Sequence, residues 1–431
     1  MLSDEVLDKV VERLARRMEQ ANTYIIEQIG KSIKKIGTLS PTKAHELVQL
    51  LKYGGDYDKI VRKIKEITKI SIKDIHKIFQ EVAKNDYEFA EQFYKYRNKK
   101  FIKWEENTTL RNMVESIEKQ TAKDFINLTN TRAMAFGWQD KNGNITYKGL
   151  KKAYYDLLDE AVLNVSQGKE TFDMALFRQL KEMGGGGIKV IFPSTYVGKD
   201  GILKNRVMRA DSAIRMQMKD ALRTLHNNMQ ENLGKDFDSD GVEISVHLNP
   251  APDHELVQGR QFSNKQFDNF QSDKTATSYD GIEFLPEHEG RDRRSISQYN
   301  CYHYVFSIVL GVSKPAYTNE QLQQIIDNAH KKIKFDGKEY TMYEATQLQR
   351  KLELEIRKAK DEQIIGKEAD NKPLIYESQH RISQLTDKYK ELSQISKLPT
   401  RPDRLRVNGY KRVAITEWLC YNVIVLIEHD W

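Results

Sequence analysis

Apolar residues return every three or four positions along most of the chain, a spacing that predicts helices. Val6, Leu7, Val10, Leu14 and Met18 mark the first, an amphipathic helix within residues 2–30. Ser40-Pro41 reads as an N-cap with proline at the first helical position, opening a helix through Leu47, Leu50 and Leu51 that stops at Gly54-Gly55. The pattern restarts at Asp56 with Ile60, Ile64 and Ile67; Ser71 then reads as the N-cap of a separate helix to Tyr96, carrying Ile75, Ile78, Phe79, Val82, Phe89 and Phe93. Further helices are predicted over 110–134, 150–167, 171–181 and 207–232, the last with Ile214, Met218, Leu222 and Leu225 on one face. A turn with a small hairpin is expected at 138–144, and a strand at 188–192 after the glycine run Gly184 to Gly187.

The period changes at Val242. Val242, Ile244 and Val246 alternate with Glu243, Ser245 and His247, a half-buried strand running into the turn Asn249-Pro250, and Val305, Ile308, Val309 and Leu310 form a second apolar run. After Tyr317 a Thr318-Asn-Glu-Gln capping box opens a helix with Leu322, Ile325 and Ile326. In 342–395, Leu348, Leu352, Ile356 and Ala359 answer Ile382, Leu385, Tyr389 and Leu392 across a break at Asp370 to Pro373, which predicts a coiled-coil-like helical hairpin ended by Pro399 and Pro402. Residues 414–431 are apolar around Val423 to Ile427 and read as a strand or an altered tail. The expected fold is α+β: mostly helical, with a small β-containing central domain and a C-terminal helical hairpin. The divisions fall at 1–108 (N-terminal helices, a docking region), 109–325 (α+β domain), 326–398 (hairpin) and 399–431 (tail).

Charge and cysteine usage narrow the class. Lys plus Arg number 69 against 62 Asp plus Glu, a formal charge of +7 that suits a neighbour of a polyanion without specifying one. The two cysteines, Cys301 and Cys420, lie far apart, which is usage for a reducing compartment and not a disulfide framework. The acidic, amphipathic start lacks the layout of a signal peptide, and no apolar run approaches the ~20 residues that span a bilayer. Production in a cytoplasm and no membrane partner are the expectations.

Several stretches invite chemistry. Gly184 to Gly187 is followed by Ile188-Lys189-Val190 and so lacks the Gly-Lys-Ser/Thr of a phosphate loop; a helix-to-strand connection is the simpler reading. Asp236, Asp238, Asp240 and Gly241 open like a calcium loop, but His247 stands where a bidentate Glu is needed, and an acidic turn before a strand is expected instead. Cys301 and His303 share one face if Tyr302 alternates with them, and His254 meets them if the two segments pair. That set suits zinc, a thiol nucleophile with its base, or a structural role in which Asn300 and His254 bond loop backbone and Cys301 fills the core. Arg291, Arg293 and Arg294, beside Asp292, suit either phosphate contacts or a solvated loop. No Ser-His-Asp order, paired-carboxylate signature or His-Glu-x-x-His occurs.

The segment His254-x-x-x-Gln258-Gly259, then Asn300-Cys301-x-His303, then Gly311-Val312-Ser313, resembles the phage minor capsid protein 2 family, related to the Mu F-like head morphogenesis proteins. Tyr340 to Glu353, Ile356 to Lys360 and Leu392 to Arg412 extend the resemblance over roughly 110–413. The chain departs from the pattern at Gly290 to Ser295, where a Gly-rich connection is usual, and in Cys-Tyr-His for Cys-Arg-His. The resemblance implies a minor structural protein of a tailed-phage head, not an enzyme, that is made in the bacterial host cytoplasm and resides in the virion. It further implies association with the portal protein and with scaffold or major capsid protein, head morphogenesis, and packaging or ejection of double-stranded DNA. No cofactor is expected, zinc being the alternative. The rival reading is an enzyme or toxin-like effector carried in the head, with His254, Cys301 and His303 as its active or metal site; a third is a metal-stabilised binding module.

Overall fold

The structure is a computed structural model that describes residues 4–37, 56–129, 134–139, 145–156, 159, 181, 187–197, 203–247, 249–288, 291–292, 294–297, 301 and 303–413. The helix expected after Ser40, that over 171–181 apart from Lys181, Gly184 to Gly186 and the tail 414–431 lie outside the described residues.

Helix α1 (Asp4–Gly37) buries Leu14 and Met18 of the predicted stripe, and Ala21, Ile25 and Ile29 continue it. Helix α2 (Asp56–Tyr96) is a single element of 41 residues, so Ser71 is no N-cap. Its hydroxyl instead donates to the Ile67 carbonyl (3.0 Å) inside the helix, and it is fully buried between Ile67 and Ile75 on a stripe that never breaks. Asn107 caps α3 (Thr108–Leu128), accepting from the Leu110 amide. This helix stops before the expected 134: the Thr129 amide and hydroxyl both return to the Phe125 carbonyl, and β1 (Met134–Gln139) follows, its Met134 and Phe136 buried.

Strand β1 pairs with β2 (Ile145–Gly149), the expected hairpin, and with β3 (Lys189–Val197), which pairs with β4 (Leu203–Arg209); the antiparallel order is β2-β1-β3-β4. The β3–β4 register shifts between Phe192 and Tyr196, across Pro193, which has no amide to give the ladder. The helix expected from 207 begins at Ala210 because β4 runs to Arg209. This helix, α4 (Ala210–Asp236), packs against α1, α2 and α3 and buries Ile214, Met218, Leu222 and Leu225.

Strands β5 (Gly241–Ile244) and β6 (Gln261–Ser263) build the small central domain with α5 (Asn264–Gln271) and the two-residue ribbons β7–β8 (Ala276–Thr277, Glu283–Phe284) and β9–β10 (Glu287–His288, Arg291–Asp292). Strand β11 (Val305–Ile308) completes a sheet of order β11-β5-β6. Val242, Ile244, Val257, Phe262, Phe270, Phe284 and Ile296 form its own core. The acidic turn is a turn: Asp238 pairs with Lys99 (2.5 Å) and Asp240 with Arg97 (3.2 Å) at the end of α2.

Helix α6 (Asn319–His330) carries the expected capping box at Thr318. After the hairpin β12 (Lys332–Phe335) and β13 (Lys338–Thr341), helices α7 (Met342–Ala369) and α8 (Lys372–Ser396) form the expected helical hairpin, turned by Asp370 in the left-handed region and by the Asn371 cap. A short α9 (Pro402–Leu405) folds back onto α7. The fold is the mostly helical α+β arrangement expected. The main core runs from Val11 in α1 through α2, α3 and α4 to Ile364 and Ile365 in α7 and on to Val407. Among the described residues no helix is long and apolar enough to cross a membrane.

Where α1, α4 and α7 meet, the core is ionic. Asp211 accepts from Arg209 (2.9 Å) and Arg215 (2.7 Å) and lies 3.3 Å from Arg357; Arg209 also reaches Asp361 (2.5 Å), and Arg215 grips both oxygens of Glu12. Asn22 donates to Asp361 and accepts from the Ile188 amide, tying α1 to the sheet. Glu19 sits beside this network. Burial, then the charges of Asp211 and Asp361, raise its pKa from 4.5 to about 8, so it is neutral at pH 7. A folded-state value above the unfolded one stabilises below pH 4.5 and is lost as pH rises through about 8. Lys189, lowered to about 8 by burial and by Arg209, acts in the opposite sense, so the informative readout is wild type against Glu19→Gln. Urea midpoints should show the variant gaining about 1 kcal/mol on the wild type between pH 7 and pH 9. Parallel pH profiles would refute the assignment.

Candidate functional site

Strand pairing assembles the motif. Because β5 and β11 are antiparallel, with Ile244 opposite Val305, the chain leaving β5 and the chain entering β11 lie side by side. His254 sits on a one-turn 3-10 helix (Pro252–His254) begun by proline, and Cys301 and His303 directly precede β11. The Cys301 Sγ lies 3.6 Å from His254 Nδ1 and 3.5 Å from His303 Nδ1. All three residues are buried, at 2, 4 and 3 % exposure for His254, Cys301 and His303.

A second layer of contacts holds each of them. His254 Nε2 lies 3.0 Å from the Arg294 carbonyl oxygen, and His303 Nε2 3.5 Å from Gln258 Oε1, which also accepts from the His247 amide (2.8 Å). The Ser297 amide donates to Cys301 Sγ (3.4 Å), and Arg223 donates to the Cys301 carbonyl. The His247 ring meets His303 edge-on, with centroids 4.5 Å apart. Burial pushes the Cys301 thiol up, but the His254 ring, through hydrogen bonding and electrostatics, and the His303 and Ser297 amides prevail and leave it below its usual value. Burial, with His247 and His254 beside it, lowers His303 to about 2, which keeps it neutral.

Gly259 and Gly311 have local reasons to be glycine. Gly259 has φ +72, and a Cβ there would meet Leu322 Cδ2 at 2.4 Å and Val246 Cγ2 at 2.8 Å; its amide donates to the Ile244 carbonyl. Gly311, at φ +74, turns the chain after β11 so that Ser313 Oγ accepts from the Val309 amide. Strand β11 is an edge, and α4 covers it: Asn227 accepts from the Val305 amide and Gln230 from the Ser307 amide, one helical turn apart. Spacing reasoning did not single out Arg223, Asn227, Gln230, Asp253 or His247 in these roles. Only the alternation that puts His247 after Val246 hinted at any of them.

Of the arginine run, Arg294 is engaged in a two-pronged pair with Asp253 (2.5 and 2.8 Å), which braces the His254 turn. Arg291 lies in β10; Arg293, Asn300 and Tyr302 fall outside the described residues. A hollow of about 820 Å³ near the site is lined by Asn227, Gln230, Asn264, Phe267, Ser297 and Val305 among others and not by His254, Cys301 or His303.

Fold and site together define a mostly helical α+β protein in which His254, Cys301 and His303 meet in a buried cluster. The family model for phage minor capsid protein 2 matches residues 2–393, and the chain belongs to that family, among the structural proteins of bacteriophage heads. Neither a curated protein nor a solved structure matches it.

Proposed function

We propose that this protein acts in head assembly beside the portal, bridging portal protein to scaffold or major capsid protein, and that it lies close to the packaged double-stranded DNA. The family match over residues 2–393 carries the reading. The helical surface supplies docking area and the +7 charge suits a site near DNA, with Arg291 and Arg293 as candidate phosphate donors and Arg294 already held by Asp253. A non-enzymatic role accords with the burial of Cys301, since a thiol nucleophile needs access to substrate. Production in the host cytoplasm and residence in the virion follow from the same role.

The test is recovery of the tagged protein from an infected or induced culture, with mass spectrometry of purified procapsids. Co-purification with portal-containing heads is the expected result. Absence from heads, with the protein free in the cytoplasm, would overturn the assignment and favour an effector role for the central domain.

A further inference from the structure

We infer that His254, Cys301 and His303 bind a zinc-class divalent ion that clamps the two halves of the central domain together. The three donor atoms all lie within 4.8 Å of one another. A tetrahedral ion about 2.3 Å from sulfur and about 2.05 Å from nitrogen sets neighbouring sulfur and nitrogen ligands about 3.5–3.6 Å apart. The two sulfur–nitrogen separations are 3.6 and 3.5 Å, so both edges that meet at the sulfur have the length that polyhedron requires.

Proton placement points the same way. The Nε2 atoms of both rings face acceptors, the Arg294 carbonyl and Gln258 Oε1, and therefore carry the hydrogens. Both Nδ1 lone pairs then converge on the sulfur. A neutral thiol has one hydrogen and satisfies only one of them, while the Ser297 amide already donates to the same sulfur. In a buried cluster the other nitrogen would face sulfur lone pairs with nothing between, and a cation bound by thiolate and both imidazoles removes that conflict. The outer contacts are those of metal-bound histidines, each giving its second N–H to a carbonyl or amide oxygen, with a backbone amide on the thiolate. A set of one sulfur and two nitrogens selects zinc over calcium or magnesium, which take oxygen ligands.

Such a site links distant segments. His254 follows β5 and the Cys301–His303 pair precedes β11, more than forty residues on. The ion would join them across the loop that carries the arginines, in a domain whose own apolar core is small.

The experiment uses the untagged full-length chain, purified without chelator, with metal content by mass spectrometry and fold by circular dichroism. About one zinc per chain is expected, falling to background in Cys301→Ser and in His303→Ala. Because loss of structure in those variants would also empty the site, the wild-type chain is stripped with chelator and reloaded with cobalt(II). A thiolate-to-cobalt band in the near ultraviolet together with intense tetrahedral visible bands is the expected signature. A folded wild-type chain that neither retains zinc nor shows the cobalt bands overturns the proposal, as does a Cys301→Ser variant that keeps its full zinc content.

Discussion

Replacing Asp211 by Asn is expected to cost the fold roughly 3–5 kcal/mol, the scale for removing one partner from a buried ion network. Asp211 is 3 % exposed and faces the guanidiniums of Arg209, Arg215 and Arg357. The amide keeps the shape but leaves those three cations against Glu12 and Asp361, in a place where water cannot screen them. The damage should spread, because the partners sit on α1, β4, α4 and α7. Burial alone would raise the Asp211 pKa; Arg209, Arg357 and Arg215 overrule it and hold it well below 3.8. A depressed folded-state value stabilises above the unfolded pKa and is lost as pH falls through the folded one. Chemical denaturation should therefore show a large gap between wild type and variant at pH 7 that narrows in strong acid. A gap under about 1 kcal/mol at pH 7 would mean that the network is not what fixes these helices.

Gly259→Ala is expected to cost roughly 2–4 kcal/mol, the sum of a left-handed penalty of about 1 kcal/mol and an overpacking term of about 1–3 kcal/mol. The added methyl has no free space, since Leu322 of α6 and Val246 after β5 occupy it from two sides. Gly311→Ala is the control: its φ is equally positive at +74, but only the Tyr279 hydroxyl, at 3.5 Å, stands near the new methyl. It should lose only the conformational share, about 1 kcal/mol. Equal losses in the two variants would show that packing against Leu322 contributes nothing. Since Gly259 follows Gln258, whose side chain orients His303, its substitution should also disturb the histidine cluster.

Local signals were legible because local physics makes them. The Thr318 capping box and the break at Asp370 to Pro373 lie within a few residues of the backbone groups they affect, so the start of α6 and the turn between α7 and α8 were readable along the chain. Ser71 misleads for the same reason: an N-cap and an interior serine bonding its i−4 carbonyl look alike until the faces on either side are known to pack as one stripe. The pairing of His254 with Cys301 and His303 was conditional in the sequence, because it required two strands to find each other across the intervening loop.

The sequence by itself determined the helical periodicity, the two-residue alternation of β5, the hairpin of α7 and α8, and the family motif, because each depends on neighbours along the chain. Only the tertiary structure decided which charged residues are inside. Asp211, Arg209, Arg357 and Asp361 sit on ordinary amphipathic segments, where charge normally means solvent, and their burial follows from three helices meeting around them. It likewise decided that the cysteine and histidines converge, since distances between side chains far apart in sequence are set by how the sheet closes and not by spacing.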